Sequence, residues 1–445
     1  MISLNIFKVI RISLLLVLGL LMFVSLSSQA RAVTPTIDVL KVKGAINPVV
    51  ADYIERGIEE AEASNARVVI IQLDTPGGLD TAMRDIVQDI VNARIPVVVY
   101  VSPSGARAAS AGVFITISAH VAVMAPNTAI GAAHPVSIGA EGEAEVSETM
   151  EEKVVNDAAA YIRSIAQAHG RNMDWAEKAV RESVSATEQE AIELGVIDLV
   201  AADLNALISQ LDGMEVTMLG DATVTLDTQG TIVNDLSMNG VEDFLYAISD
   251  PNIAYLLLSI AMLGIMAEIS SPGLIFPGVV GAISLLLAFF SLGMLPVNYA
   301  GILLIVLAFG LFIAEIFTTS FGLFIAGGIV SLIFGSLILF KGGPLFQVSP
   351  WLITTVAIIV TTVFVLIITR VIQVHHRQAT TGREELTGKT ATVNKALDPE
   401  GIVLFKGERW TAISGAGRIE PGETVLINRV DSLKLYVTKQ DEVTE

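Results

Sequence analysis

Ser110 stands in a run of small residues, A-R-A-A-S-A-G-V-F at 106–114, after an apolar run, VVVYV at 97–101, and a Pro103-Ser104-Gly105 turn. A serine just past a strand, at the start of a helix, has unpaired backbone N–H groups beside it, and these favour negative charge. Such a place suits a nucleophile. A hydroxyl attacks only when a base takes its proton, and two bases follow in sequence, His134 and Lys153. An imidazole titrates near about 6.5 and needs no help. A lysine amine must be neutral to serve, so burial or a neighbouring cation has to bring its pKa down several units from about 10.4. A second stretch, D-T-P-G-G at 74–78, also follows an apolar run. Paired glycines let a backbone N–H approach a ligand with no Cβ in the way, as an oxyanion hole requires. The N–H groups of Gly78 and Ala111 are the expected donors with either base, and the chemistry implied is acyl transfer. Taken singly, A-A-S-A-G is also an ordinary small-residue helix start, and D-T-P-G-G an ordinary turn.

These loops need a platform. From Thr36 onward short β-rich runs alternate with helical periodicity, at 37–42, 48–64, 68–73, 79–92 and 97–101. Strand, helix, strand, helix, strand predicts parallel βαβ units with function at the carboxyl ends of the strands. Both loops fall there. Residues 121–124 predict a further strand, and 137–152, rich in Gly, Glu and Ser, read as a solvated loop over the site. Lys153 opens the next helix, which runs to about His169 and whose apolar positions 154, 155, 158, 162 and 165 share one face. Beside its reading as a base stands a plainer one, a surface lysine pairing with Asp157 at i, i+4. Asp74 is expected to hold its loop rather than to join the chemistry. Arg107 points away if the helix begins at Ala109 and is given no role.

The two loops together are more specific than either alone. Strand-D-T-P-G-G-helix followed by S-P-S-G-A-R-A-A-S-A-G resembles the Clp protease and signal peptide peptidase A groups, which share an α/β Clp/crotonase-like fold. Further on, I-G-A-A-H-P-V, then E-K-V-V-N-D-A-A-A-Y-I-R-S-I-A and H-G-R-N, resemble the NfeD family of membrane-bound serine proteases. This resemblance covers essentially the whole chain after residue 32. It implies a Ser-Lys dyad, and the residues that match are Ser110 and Lys153. The Clp group instead places a histidine close to where His134 falls. The resemblance also implies a stomatin-like membrane protein as substrate or neighbour, and a self-associating chain. An apolar peptide segment is the expected substrate, because a lysine base needs a dry site. No cofactor or metal is expected. The rivals are an inactive membrane scaffold that organises the same partner, and an acyl-CoA enzyme of the crotonase kind.

The remaining sequence says where this domain lives. Hydrophobic residues make up 52% of the 445 and charged residues 16%, and 253–370 are almost free of charge. Apolar spans at 253–269, 274–295, 300–317, 321–340 and 351–369 predict about five membrane crossings. Arg370, His375, His376, Arg377 and Arg383 then fall on the cytoplasmic side, as the positive-inside rule asks. Residues 1–32 combine Lys8 and Arg11, a short apolar core and an Ala30-Arg31-Ala32 end, a secretory signal that sends the 33–213 domain outward, away from cytoplasmic CoA. Residues 214–250 read as a tether. Glu315 and Glu268 are intramembrane carboxylates and so functional candidates. Five short β runs in 371–445 fit an OB-type barrel for protein interaction. A net charge of −19 with no basic stripe excludes nucleic acid, and the absence of cysteine excludes disulfides and thiolate chemistry.

Overall fold

The computed structural model describes residues 35–135, 148–220, 222–270, 273, 275–318, 322–341, 346–375, 386–415 and 417–440. Residues 1–32, expected to be a signal, and most of the acidic loop lie outside these residues. The chain forms two compact units that divide between Ile358 and Ile359.

The first unit opens with β1 (Thr36–Lys43), α1 (Pro48–Ser64), β2 (Val68–Asp74), α2 (Asp80–Asn92), β3 (Val97–Val101), β4 (Arg107–Ala109), α3 (Ala111–Ser118), β5 (Val121–Met124) and β6 (Ala129–Gly131). It continues with α4 (Glu148–Ala168), α5 (Met173–Arg181), β7 (Ser185–Thr187), α6 (Glu188–Glu193), β8 (Leu199–Val200), α7 (Leu204–Leu211), β9 (Glu215–Thr217), β10 (Thr223–Thr225), β11 (Ile232–Asp235) and α8 (Gly240–Ile248). The runs VVIIQLD and VVVYV are β-branched almost throughout and buried along nearly their whole length, as central parallel strands covered on both faces must be. They lie in a six-stranded sheet ordered β11-β1-β2-β3-β5-β8, parallel at every pairing. A second, small sheet, β4-β6-β7, stands at its carboxyl end.

The segment read as a tether is part of this domain. Its I-V-N-D strand β11 pairs with β1 from Thr36↔Ile232 to Val39↔Asp235 and becomes the exposed edge strand of the sheet. Arg56 then grips Glu242 through two bonds of 2.6 and 2.7 Å, and the Tyr246 hydroxyl donates to the Lys43 carbonyl at 2.7 Å.

One buried cation fastens the helices that matter for the site. Arg171, 6% exposed, follows α4 and donates to the carbonyls of Ile117 and Ala119 at the end of α3, at 2.6 and 2.8 Å. It also pairs with Asp198, which accepts from Ala122 N–H at 2.7 Å. His120 and His169 meet edge to face beside it. Burial first, and the nearby guanidinium second, push both imidazoles down to about 4. Each is therefore neutral in the folded chain but protonates below about 6.5 when unfolded, so their contribution is full above that pH and is lost as pH falls toward 4. His169→Phe is expected to flatten the fall in the urea midpoint between pH 7 and 4.5, followed by Trp175 fluorescence. An unchanged slope would remove the pair from the acid response.

Apolar helices complete the unit: α9 (Pro251–Ser270), α10 (Phe276–Gly293), α11 (Tyr299–Phe317), α12 (Leu323–Leu337) and the start of α13 (Pro350–His375). Among the described residues, α9, α10 and α11 are long and apolar enough to cross a membrane, with shorter apolar stretches at Leu323–Leu337 and Pro350–Leu366. Backbones touch within two hairpins: a Cβ at Gly264 would lie 2.8 Å from Gly281 Cα, and one at Gly335 would lie 2.9 Å from the Gly301 carbonyl oxygen. Glu315 accepts from the N–H groups of Gly322 and Phe324 at 2.8 and 3.1 Å and so caps α12, while Glu268 accepts from Gly273 N–H at 3.2 Å. Glu315 thus serves a helix start, and Glu268 holds the turn between α9 and α10.

The second unit contains a closed barrel of β12 (Thr390–Lys395), β13 (Glu400–Phe405), β14 (Glu408–Ser414), β15 (Thr424–Asp431) and β16 (Lys434–Lys439). Its order is β12-β13-β14-β16-β15, with β14 and β16 parallel, around Val393, Val403, Ala412, Val425, Ile427 and Leu435. This is the five-stranded barrel expected from the β runs.

Candidate active site

Ser110 lies where β4 gives way to α3, with φ 52° and ψ −114°. A non-glycine residue at positive φ costs on the order of 1–3 kcal/mol and persists only when its surroundings hold it. Here they do. Ser110 N–H donates to Gly131 O at 3.2 Å, Ala109 N–H to Thr75 O at 3.1 Å, and Thr75 N–H to Arg107 O at 2.8 Å. The strand that leads to Ser110 is thus laid between the D-T-P-G-G loop and β6. The helix begins at Ala111 rather than Ala109 because residues 107–109 pair as a strand. Arg107 is exposed.

Small residues are obligatory at this crossing. A Cβ on Gly77, whose φ is +118°, would lie 2.7 Å from Ser110 Cβ and 3.2 Å from its Oγ. One on Gly78 would lie 2.0 Å from the Ile46 carbonyl oxygen, and one on Gly112 2.6 Å from Thr75 Cγ2. The loop is stitched to residues 44–46 by Gly44 N–H to Asp74 O, Ile46 N–H to Gly77 O and Leu79 N–H to Ile46 O, each 2.9 Å. Asp74 accepts from Arg107 N–H at 3.2 Å, a structural role of the kind expected.

Ser110, Gly78, Ala111 and Lys153 line one cavity of about 470 Å³. Its apolar wall comes from Leu79, Met83, Phe114, Pro135, Val154 and Ala158. Ala111 occupies the first turn of α3, where an N–H has no intrahelical acceptor. Lys153 sits in α4, which begins earlier than expected, at Glu148, and its side chain is exposed. The i, i+4 pairing with Asp157 does not occur. Asp157 is instead taken by Arg84, which also holds Asp80 at 2.8 Å and lies 4.6 Å from the Tyr161 ring centroid. Arg84 thereby ties α2 to the helix that carries Lys153 and keeps both carboxylates occupied. Its i, i+4 spacing from Asp80 was readable, but its reach to Asp157 was not.

Among the described residues, neither Lys153 nor His134 bonds to the Ser110 hydroxyl, and of the two only Lys153 lines its cavity. Nδ1 of His134 lies 2.7 Å from Val180 O. One lining residue escaped sequence reasoning altogether: Phe346, from the connection between α12 and α13.

The chain matches the N-terminal domain of NfeD1b over 36–212, the NfeD integral membrane domain over 252–370, and the NfeD-like C-terminal, partner-binding domain over 383–439. It is 39% identical over 411 residues to the membrane-bound protease PH1510 of Pyrococcus horikoshii, spanning 90% of this chain and 93% of that protein. Among solved structures, a serine-to-alanine mutant of the 1510-N membrane-bound stomatin-specific protease is 38% identical, with TM-score 0.43, covering 46% of this chain and 99% of that one. A lysine-to-alanine mutant of 1510-N in complex with a substrate peptide is 37% identical, with TM-score 0.45, covering 48% and 98%.

Proposed function

The chain belongs to the NfeD family of membrane-bound proteases, and on that premise we propose that it is a serine endopeptidase using Ser110 as nucleophile and Lys153 as general base. The observation that carries this reading is the gathering of Ser110, Lys153, Gly78 and Ala111 around one cavity with an apolar wall, while His134 is bonded to Val180 O. The hydroxyl of Ser110 attacks the scissile carbonyl carbon as its proton passes to the neutral amine of Lys153. Charge on the resulting oxyanion falls to the N–H groups of Gly78 and Ala111, a kind of contact worth about 3 kcal/mol per donor. Lys153 then returns the proton to the departing amine, leaving an acyl-serine that water hydrolyses with the same lysine as base.

The exposure of Lys153 bears on substrate choice. A lysine amine can serve as a base only where exclusion of water disfavours its charged form, and in this reading an apolar peptide packed on Leu79, Met83, Phe114 and Val154 supplies that exclusion. The proposed substrate is an apolar segment of a stomatin-like membrane protein, with the C-terminal barrel as a docking module for such a partner. By the positive-inside rule, the proposed orientation sets residues 36–248 outside and the basic stretch at 370–383 on the cytoplasmic side.

A peptide series tests this. The full chain in detergent is expected to cut peptides with Leu, Ile and Phe around the scissile bond at least about tenfold faster than analogues carrying Ser and Gln, as differential burial of two or three apolar side chains implies. Equal rates would remove the apolar preference, and no cutting of any peptide would favour the scaffold.

A further inference from the structure

The cavity around Ser110 is not built by residues 36–248 alone. Phe346 belongs to the connection between α12 and α13, yet it lines the cavity with Ser110, Lys153 and Val154 and is only 7% exposed. The nearest described residues on either side of it are fastened. Before it, Lys341 N–H donates to Pro296 O at 2.7 Å, Asn298 N–H donates to Leu339 O at 2.8 Å, and Val297 bridges Phe340. After it, Val348 is buried, and Ser349 N–H donates to the Asn252 side chain at the start of α9 at 2.8 Å. At the same end, the Ser291 hydroxyl near the close of α10 donates to Ile248 O of α8. The starts of α9, α11 and α13 and the ends of α10 and α12 are thus bonded together beside α8, and this cluster presents an aromatic ring to the cavity.

A ring held in that way contacts whatever enters. Aromatic side chains bury more apolar area than any others, and a pocket discriminates by the contacts a substrate side chain makes or lacks. We propose that Phe346 is a specificity-determining residue: the apolar helices supply through it one wall of the substrate subsite, against which an apolar side chain of the peptide packs as its carbonyl reaches Ser110. Substrate selection is then a property of the helices and the α/β domain together. The inference rests on Ser110 being the nucleophile.

The test uses the full chain in detergent or nanodiscs, with Phe346→Ala and Phe346→Leu, on two peptides that differ only in Phe or Ala near the scissile bond. Phe346→Ala is expected to raise KM for the Phe peptide about tenfold, leave kcat within about threefold, and narrow the preference over the Ala peptide. Phe346→Leu should recover most of it. Binding of a fluorescent Phe peptide to Ser110→Ala, with and without Phe346→Ala, should show the same tenfold loss with no turnover involved. Unchanged KM and preference would overturn the inference. So would a uniform rise in kcat/KM on both peptides, which would make the ring an obstruction rather than a wall. If Ser110→Ala itself cuts the peptide at the parent's rate, the reading of Ser110 fails, an outcome distinct from any effect at Phe346.

Discussion

Ser110→Ala and Lys153→Ala are each expected to lower kcat for peptide cleavage by on the order of 10⁴, with KM nearly unchanged. The reason is that hydroxyl and amine act as one unit. Without the hydroxyl there is nothing to acylate, and without the amine the hydroxyl keeps its proton. The double variant should therefore be no slower than either single one, a non-additivity that separate structural damage would not produce. Lys153→Arg adds a sharper contrast. A guanidinium keeps the positive charge and much of the length but does not deprotonate, so a base role predicts the full loss while a purely electrostatic role predicts recovery. His134→Ala removes only the contact with Val180 O, and it should change stability by about 1 kcal/mol and kcat by less than tenfold. Steady-state kinetics of the five variants, with a urea titration of His134→Ala, check all of this.

Arg171→Ala is expected to cost about 3–5 kcal/mol of unfolding free energy. Its guanidinium is buried against a partly exposed Asp198, and its removal leaves that carboxylate without its cation and the buried carbonyls of Ile117 and Ala119 without their donor. The damage should not stop at stability. Ser110 caps the start of α3 and Lys153 lies near the start of α4, and Arg171 ties the far ends of these two helices together. A small rotation of either helix changes the approach of amine to hydroxyl, and misplacements of about 1 Å can cost on the order of a hundredfold in rate. A urea titration followed by Trp175 fluorescence, with kinetics at low urea, measures both effects. A stable Arg171→Ala enzyme of normal kcat would mean that the helices are positioned by packing alone.

What could be read in advance follows from how local each signal is. VVIIQLD and VVVYV announce buried parallel strands within a few residues, and Pro48 and Asn65 bracket α1 with ordinary start and stop chemistry. The pairing of small residues around Ser110 with the double glycine at 77–78 was legible for the same reason, since each loop follows its strand directly. Distant contacts were not. β11 pairs with β1 across nearly two hundred residues of chain, and a short I-V-N-D run carries no mark of its partner. Glu315 looked like a functional intramembrane acid until the two N–H groups it caps were in view. Phe346 is one aromatic residue in an apolar stretch, and only the folding of α12 and α13 against the starts of α9 and α11 brings it to the cavity.

Everything catalytic turns on which side chain makes Ser110 reactive, and covalent labelling reads that directly. The full chain is treated with a fluorophosphonate, which phosphonylates activated serines with loss of fluoride, and the adduct is mapped by mass spectrometry in the parent, Lys153→Ala and His134→Ala. The expected result is an adduct on Ser110 in the parent and in His134→Ala, and none in Lys153→Ala. An adduct that survives the loss of Lys153 and vanishes with His134, or one that falls on another serine, would contradict the account.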